Sequence, residues 1–298
     1  MKNFFNILFY ISLIFLGIYL YKFNYFTIPK IYNFNYFAVS TLLLFAGFIV
    51  QAYTWKRTLQ LYDIYIVNKL AISSSGLSIF MKYIPGKIMV VLGRAAYVSS
   101  KMNVPISKTT TSSFLNQIII LWTGLFLGGI ILFTINIPQI WNIISILVFL
   151  FLTLILIFNK YFFSILKKLL IKLGKNLTIE EFKIKDVINI CPSFFLNWIF
   201  WSIGFYLLIK SAYFGDVSLF LIFAFPLSAT LAIIVLFAPG GLGIREGIIV
   251  ACLVLFNVPL DIATGISVLS RLWFLLGELF IFIFALVLDK NLKKIFFY

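Results

Sequence analysis

The sequence predicts an all-α, polytopic integral membrane protein, and three observations support this class. The chain has 298 residues, of which 63% are hydrophobic and only 11% are charged. Its mean hydropathy is +1.10. Soluble globular domains carry about 25% charged residues, so this composition leaves too little polar material for a water-facing surface. Disorder is excluded too, because disordered chains combine low hydrophobicity with high charge.

Residue counts also narrow the chemistry. The chain contains no histidine, which excludes Ser-His-Asp catalysis and His-ligated metal sites. Cys191 and Cys252 lie in apolar stretches and are predicted to be small buried side chains. We therefore expect no cofactor and no metal. The net charge of +15 indicates cytoplasmic loops and anionic lipid headgroups rather than nucleic acid.

The membrane helices are predicted from apolar stretches, since a crossing needs about 20 mainly apolar residues. The first stretch has one lysine before it and no cleavage-like small residues after it, so we predict a helix and not a signal peptide. With the interrupted segments described below, we expect about eight membrane helices. The uninterrupted stretches are Phe4–Tyr21, Phe37–Tyr53, Ser113–Ile135, Ile140–Phe158, Val187–Ile209, Val217–Ala238 and Ile262–Leu288.

Two Pro-Gly segments interrupt this pattern. Pro85-Gly86 follows the weakly apolar run Ile66–Met81, and Pro239-Gly240-Gly241-Leu242-Gly243 separates two apolar stretches. Proline removes a backbone donor and glycine favours non-helical dihedrals, so each segment is predicted to break a helix in or near the membrane. Non-helical backbone at that depth is tolerated only where it is buried or lines a cavity.

The two breaks belong to an internal repeat. A shift of 154 residues aligns Pro85-Gly86 with Pro239-Gly240 and Asn103-Val104-Pro105 with Asn257-Val258-Pro259. The same shift aligns Thr110 with Thr264, Ser113 with Ser267 and Leu115 with Leu269. We therefore predict one transmembrane domain over residues 1–298, with repeat halves at about 1–136 and 137–298.

Lysine and arginine placement predicts the orientation. The uncharged turn Asn136–Gln139 is expected outside, whereas Lys160–Lys185, the lysine-rich tail and both termini are expected on the cytoplasmic side of the plasma membrane. Residues 160–175 alternate lysines with apolar residues and are predicted to form an interfacial anchor helix. The halves then start on opposite sides, which is the inverted repeat of many secondary transporters. If each break is only a kink in a crossing, the repeats would be parallel instead.

Few ionisable residues lie beside the breaks and in the helices that follow. Such side chains cost several kcal/mol at membrane depth unless they are paired or hydrated, so each is a functional candidate. Lys82 is predicted to snorkel to the interface. The set has five bases and two acids, which leaves capacity for an anionic guest: Lys82, Lys87, Arg94, Arg245, Glu246, Arg271 and Glu278.

Arginine usage sharpens this prediction towards phosphate. The chain has only four arginines, and Arg94, Arg245 and Arg271 all follow the breaks. The planar guanidinium binds two phosphate oxygens at once. The glycine run before Arg245 is a further candidate phosphate site, because backbone amides at a helix start bind anions. Glu246 has an alternative role, since an acid there would cap the helix that begins after Gly243.

These motifs resemble a known family. Lys82-Tyr83-Ile84-Pro85-Gly86-Lys87 with Gly93-Arg94, and Pro239-Gly240-Gly241-Leu242-Gly243-Ile244-Arg245-Glu246-Gly247, are similar to the paired signatures of the lysylphosphatidylglycerol synthase transmembrane region, also called the flippase-like domain family. Arg271 and Glu278 also fit. The resemblance implies an all-helical domain that handles lipids. No soluble aminoacyl-transfer domain follows these helices, so we expect a standalone region and not a synthase.

We accordingly expect a non-enzymatic, flippase-like protein that binds or translocates an anionic lipid. In the lipid-headgroup site, Arg94, Arg245 and Arg271 would hold the phosphate and Lys87 would line the entrance, while Glu246 and Glu278 orient the arginines. The ligand would be an anionic phospholipid or, as the resemblance implies through surface-polysaccharide pathways, a polyprenyl-phosphate-linked lipid. The alternatives are a membrane-embedded glycosyl or phosphoglycosyl transferase, with Glu246 or Glu278 as base, and a scaffold subunit that binds glycan-assembly proteins. Asp63, Asp216 and Asp261 are further candidate acids near the interfaces.

Overall fold

The computed structural model describes residues 30–83, 88–134, 139–161, 182–234 and 243–289, together with Ser164. Within these ranges the chain forms helices and no strand, which confirms the all-α class. Two short 3-10 helices, Ile79–Tyr83 and Leu219–Phe223, precede the two breaks. The α-helices are α1 (Phe34–Gln60), α2 (Asn68–Ser78), α3 (Ile88–Met102), α4 (Ile106–Leu132), α5 (Gln139–Ile157), α6 (Ile184–Ala212), α7 (Ala224–Ile234), α8 (Ile244–Leu255) and α9 (Leu260–Leu288).

Four of these helices, α1, α4, α6 and α9, are long and apolar enough to cross a membrane. The membrane class is therefore confirmed, while the total of about eight crossings stays a prediction. The predicted stretch Phe4–Tyr21 and the lysine-rich tail lie outside the described residues, as does most of 160–175. The side of the membrane that holds the termini accordingly stays a prediction.

One predicted crossing is described only in part. Within the stretch Val217–Ala238, the 3-10 helix Leu219–Phe223 continues directly into α7, which is described from Ala224 to Ile234. Residues 235–238 lie outside the described residues, so the full length of this crossing stays a prediction. By the offset of 154 residues, α7 is the counterpart of α2.

The Asn-Val-Pro tripeptides form the turns between each short helix after a break and the long helix that follows. Asn103 and Asn257 adopt left-handed φ angles of 52° and 61°, a conformation that asparagine tolerates better than most residues. Pro105 and Pro259 stand directly before α4 and α9, where the missing N–H costs no helical hydrogen bond. The local sequence therefore dictates the same reversal twice.

Equivalent helices follow the offset of 154 residues seen in the sequence. It relates the start of α4 at Ile106 to the start of α9 at Leu260, and it pairs α1, α2 and α3 with α6, α7 and α8. The equivalent helices α1 and α6 pack antiparallel: Ser40 Oγ donates to Gly204 O at 2.7 Å, and Tyr32 N donates to Ser211 O at 2.8 Å. A parallel duplication would place them parallel, so this packing favours the inverted arrangement. The boundary near residue 136 falls outside the described residues and stays a prediction.

An aromatic cluster joins α1, α6, α7 and α9 in the core. Phe48 packs edge-on against Trp201 at 5.2 Å between ring centroids, and Trp201 packs in the same manner against Phe274 at 5.2 Å. Phe225 continues the cluster towards Trp273 at 5.8 Å. Such edge-to-face pairs add about 0.5–1.5 kcal/mol beyond the area that they bury. The cluster gives a firm wall to the cavity described next.

Candidate functional site

A cavity of about 440 Å³ lies between the two repeat-related sets of helices. Four cationic side chains line it, and no carboxylate lines it among the described residues. Arg271 lies eleven residues after the start of α9, about 16 Å along the helix axis and therefore near the middle of this 29-residue helix. The structure thus brings together residues that the sequence separates widely: Lys82, Arg94, Arg245 and Arg271.

Arg94 is fixed by α4. Its Nε donates to Ser113 Oγ at 2.5 Å, its Nη2 donates to Ser113 O at 2.8 Å, and its Nη1 donates to Asn116 Oδ1 at 2.9 Å. The guanidinium carbon lies 4.6 Å from the centroid of the Trp55 ring. All three nitrogens are therefore engaged, and the charge is held as part of the cavity wall.

Arg245 is held differently. The residue is only 4% exposed, and its guanidinium carbon lies 4.6 Å from the ring centroids of both Phe225 and Phe274. Its Nη2 makes one long hydrogen bond, 3.4 Å, to Ser270 O. Its buried Nε has no hydrogen-bond partner among the described residues. A buried donor without a partner costs about 1–3 kcal/mol, so this guanidinium favours a guest that supplies acceptors.

Ser75 is a second polar group of this kind. It lines the cavity from α2, and its buried Oγ has no hydrogen-bond partner in the described part of the chain. A hydroxyl can donate to an anionic oxygen and adjust its direction by rotation. The cavity therefore combines cationic charge with two unsatisfied donors.

Arg271 belongs to a polar chain that crosses between the repeat-related sets of helices. Its Nη2 donates to Tyr83 Oη at 3.3 Å, and Tyr83 Oη donates to Glu278 Oε2 at 2.8 Å. Lys82 forms an ion pair with Glu278. Glu278 is 1% exposed. The charge of Lys82 and the hydroxyl of Tyr83 compensate its buried carboxylate. Through Tyr83, the carboxylate fixes the position of the Arg271 guanidinium.

This chain corrects one expectation. Lys82 was predicted to snorkel, but its ammonium lies against Glu278 and over the Phe274 ring, 5.0 Å from the centroid. The reason is the packing of α2 on α9, which brings Lys82 and Tyr83 to the carboxylate.

Glu246 serves the start of α8. The N–H of Gly243 donates to Glu246 Oε2 at 2.9 Å, and Gly243 has a φ of +78° that glycine adopts without strain. This is the capping geometry that the sequence analysis left open as the alternative. Glu246 and Glu278 are both absent from the cavity lining, as are Asp63, Asp216 and Asp261.

The break motifs themselves are only flanked by described residues. Pro85, Gly86, Lys87, Pro239, Gly240 and Gly241 lie outside the described residues, so their predicted roles stay predictions. The flanks are nevertheless informative, because Lys82 before the first break and Arg245 after the second both line the cavity. No group of three or more possible metal ligands occurs in the described ranges.

Sequence reasoning missed several polar partners of the site. Tyr83 lies just before the first break and was interpreted only as part of the motif. A buried tyrosine hydroxyl usually has a hydrogen-bond partner, so Tyr83 could have been considered as a polar contact of the site. Ser113 was noticed only as a repeat match with Ser267. Both serines bond the backbone of the short helix that follows a break: Ser113 Oγ donates to Val91 O at 2.9 Å and Ser267 Oγ donates to Glu246 O at 3.2 Å. Because Ser113 and Ser267 recur at the same offset of 154 residues, the sequence could have predicted that they make equivalent contacts.

Comparison with protein families gives one match. Residues 4–283 match the family model described as the lysylphosphatidylglycerol synthase TM region. The match covers nearly the whole chain and includes both break segments, the cavity and the polar chain through Glu278. A search of curated proteins finds no match.

Proposed function

The chain belongs to the lysylphosphatidylglycerol synthase transmembrane-region family, and from this premise we propose that it binds an anionic lipid by its phosphate and moves it across the cytoplasmic membrane. Members are membrane domains, often flippase-like in their handling of lipids. The observation that carries the proposal is the cavity of about 440 Å³ with four cationic side chains and no lining carboxylate among the described residues.

The charge balance supports an anionic guest. Glu278 compensates Lys82 through their ion pair, whereas among the described residues Arg94 and Arg245 donate hydrogen bonds to neutral groups. Charges at this depth cost several kcal/mol each when they are uncompensated. A lipid phosphate in the cavity would offset this cost, and its oxygens would accept from the unsatisfied Arg245 Nε and Ser75 Oγ.

The roles we propose follow from how each cation is held. Arg245 and Arg271 bind the phosphate, because Arg245 has unsatisfied donor capacity and Arg271 is positioned by Tyr83. Arg94 supplies a fixed positive charge from the cavity wall. Both an anionic phospholipid and a polyprenyl-phosphate-linked lipid have the required phosphate, and we keep both as ligand classes.

The transferase alternative gains no support from the described residues. Glu246, its first candidate base, caps α8 through Gly243, and Glu278, the second, is bound to Lys82 and Tyr83. The matched region is the membrane part of the family, which is not itself a known catalytic domain. A scaffold role with glycan-assembly partners stays an untested alternative.

Lipid translocation in proteoliposomes tests the proposal. Fluorescent phosphatidylglycerol and a polyprenyl phosphate would be followed between leaflets for the wild type, Arg245→Ala and Arg271→Ala. We expect each variant to lower the rate at least about tenfold, which corresponds to roughly 1.4 kcal/mol. Arg57→Ala is the matched control, since Arg57 lies at the end of α1, outside the cavity lining. Wild-type rates in both cavity variants would contradict the assignment.

A further inference from the structure

The cavity extends from the four cations into a gap between α4 and α7, here called the α4–α7 seam. Its sides are formed by Phe114 and Leu121 of α4 and by Ala229, Ile233 and Ile234 of α7, all of which line the cavity. Gln117 of α4, which also lines the cavity, lies between Phe114 and Leu121 on the same helix face. The seam is therefore uncharged and mainly apolar, in contrast to the part of the cavity that holds the four cations.

The seam is closed at one end by direct helix contact. A Cβ on Gly128 would collide with the backbone of Leu227, and a Cβ on Gly124 would collide with the side chain of Thr230. These pairings show that α4 and α7 run antiparallel and touch along this stretch. Beyond this contact, the gap between α4 and α7 extends towards Phe114 and Ile234.

At that end the seam reaches the protein surface. Phe114 is 40% exposed and Ile234 is 37% exposed although both line the cavity. Phe114 lies eight residues after the start of α4, about 12 Å along the helix axis. If the hydrocarbon core of about 30 Å is centred on this 27-residue helix, Phe114 lies about 7 Å inside the core. We therefore infer that the seam opens sideways towards the lipid.

The repeat-related seam between α2 and α9 has a similar helix contact but a different junction beyond it. A Cβ on Gly76 would collide with the backbone oxygen of Ile281, so the two helices touch. Beyond that contact, the Lys82–Glu278 ion pair and Tyr83 occupy the junction. At the offset of 154 residues the second half has Leu236 and Phe237 in place of Lys82 and Tyr83, and Gly124 stands in place of Glu278. Among the described residues, an ion pair and a tyrosine therefore fill the α2–α9 junction, whereas uncharged and mainly apolar side chains line the α4–α7 seam.

We propose that the α4–α7 seam is the binding site for the hydrocarbon chain of the lipid whose phosphate occupies the cationic end. This inference rests on the proposed function and adds the direction of the chain: the headgroup lies at Arg245 and Arg271, and the chain passes between Phe114 and Ile234 into the bilayer. The class of ligand is thus a lipid with a long chain bound in part by the protein.

Two probes separate the chain site from the headgroup site. Glycerol 1-phosphate carries the phosphate without a chain, and dioleoyl phosphatidylglycerol carries both. Binding of either to the detergent-solubilised protein raises the unfolding temperature Tm, and the dependence of Tm on ligand concentration gives the affinity. The variants are Ala229→Trp and Ile233→Trp, which fill the seam, and Leu147→Trp on α5, which is lipid-facing and outside the cavity lining.

We expect the seam variants to keep the Tm increase from glycerol 1-phosphate and to bind dioleoyl phosphatidylglycerol at least about tenfold more weakly, which is roughly 1.4 kcal/mol. A retained response to glycerol 1-phosphate also shows that a variant is folded. Leu147→Trp should bind both probes as the wild type does. Wild-type lipid affinity in both seam variants would overturn the chain site alone, whereas a wild type that responds to neither probe would overturn the proposed function.

A lipid with a photoreactive diazirine in the middle of its chain gives a second measurement that needs no variant. We expect crosslinks in the wild type to fall on residues 114–121 of α4 and 229–234 of α7. Crosslinks confined to the α2–α9 seam or to α5 would overturn the assignment.

Discussion

Arg94 and Arg245 are both buried arginines on short helices that follow a break, yet the protein holds them in opposite ways. Arg94 uses all three of its nitrogens in hydrogen bonds of 2.5–2.9 Å to Ser113 and Asn116. Arg245 rests between two phenylalanine rings with one bond of 3.4 Å and an Nε without a partner among the described residues. The difference teaches that position relative to a break does not decide the role of a charge. The set of acceptors around the charge decides it.

The largest effect expected from this comparison is on stability. Arg94→Ala removes three hydrogen bonds from a charged donor and leaves Asn116 Oδ1 and Ser113 O without that donor. We expect the free energy of unfolding to fall by about 3 kcal/mol. Arg245→Ala should change it by less than about 1 kcal/mol, because the lost ring contacts and the single weak hydrogen bond are offset by relief of an unsatisfied buried donor. Unfolding of both variants in SDS titrations measures the difference. Equal losses of unfolding free energy would contradict the distinction between a fully bonded Arg94 and a partly unsatisfied Arg245.

A smaller effect is expected from the polar chain that positions Arg271. Tyr83→Phe keeps the ring and removes the hydroxyl that joins Arg271 to Glu278. We expect about a fivefold loss of affinity for glycerol 1-phosphate, equivalent to roughly 1 kcal/mol. Tyr62→Phe is the matched control, since Tyr62 is a buried tyrosine outside the cavity lining. Unchanged affinity in Tyr83→Phe would show that Arg271 needs no positioning by this hydroxyl.

The smallest effect is expected at Glu246. Glu246→Gln keeps an oxygen acceptor for the Gly243 N–H but removes the negative charge at the start of α8. We expect the free energy of unfolding to fall by about 0.3–1 kcal/mol through the helix dipole, measured by the same SDS titration. A loss of phosphate affinity larger than that of Tyr83→Phe would instead support the role in orienting the arginines that the sequence analysis gave this residue.

Much of the architecture could be predicted because it depends on local sequence. Pro-Gly pairs break helices and Asn-Val-Pro forms a fixed turn wherever these sequences occur, so the 154-residue offset was visible before any contact was known. Because arginine is rare in the chain, Arg94, Arg245 and Arg271 could also be predicted as site residues, and all three line one cavity.

The pairing of the charges could not be predicted in the same way. Lys82 and Glu278 are 196 residues apart, and their contact depends on how closely α2 approaches α9 at Gly76. Likewise, no periodicity tells whether a guanidinium will be fully bonded or partly unsatisfied. Arg94 and Arg245 differ through Ser113, Asn116 and two aromatic rings, which only the packing of separate helices brings into place.

The Asn-Val-Pro turns have a mechanical consequence. Each is stiff, with a left-handed asparagine, a proline and backbone bonds such as Val258 N to Leu253 O at 3.0 Å. Ser113 and Ser267 then tie each long helix to the short one before it. Each of the pairs α3–α4 and α8–α9 is therefore expected to move as one rigid unit. A displacement of Arg94 or Arg245 would therefore move the attached 27- or 29-residue helix as well, and a small shift in the cavity would become a larger one at the far end of that helix.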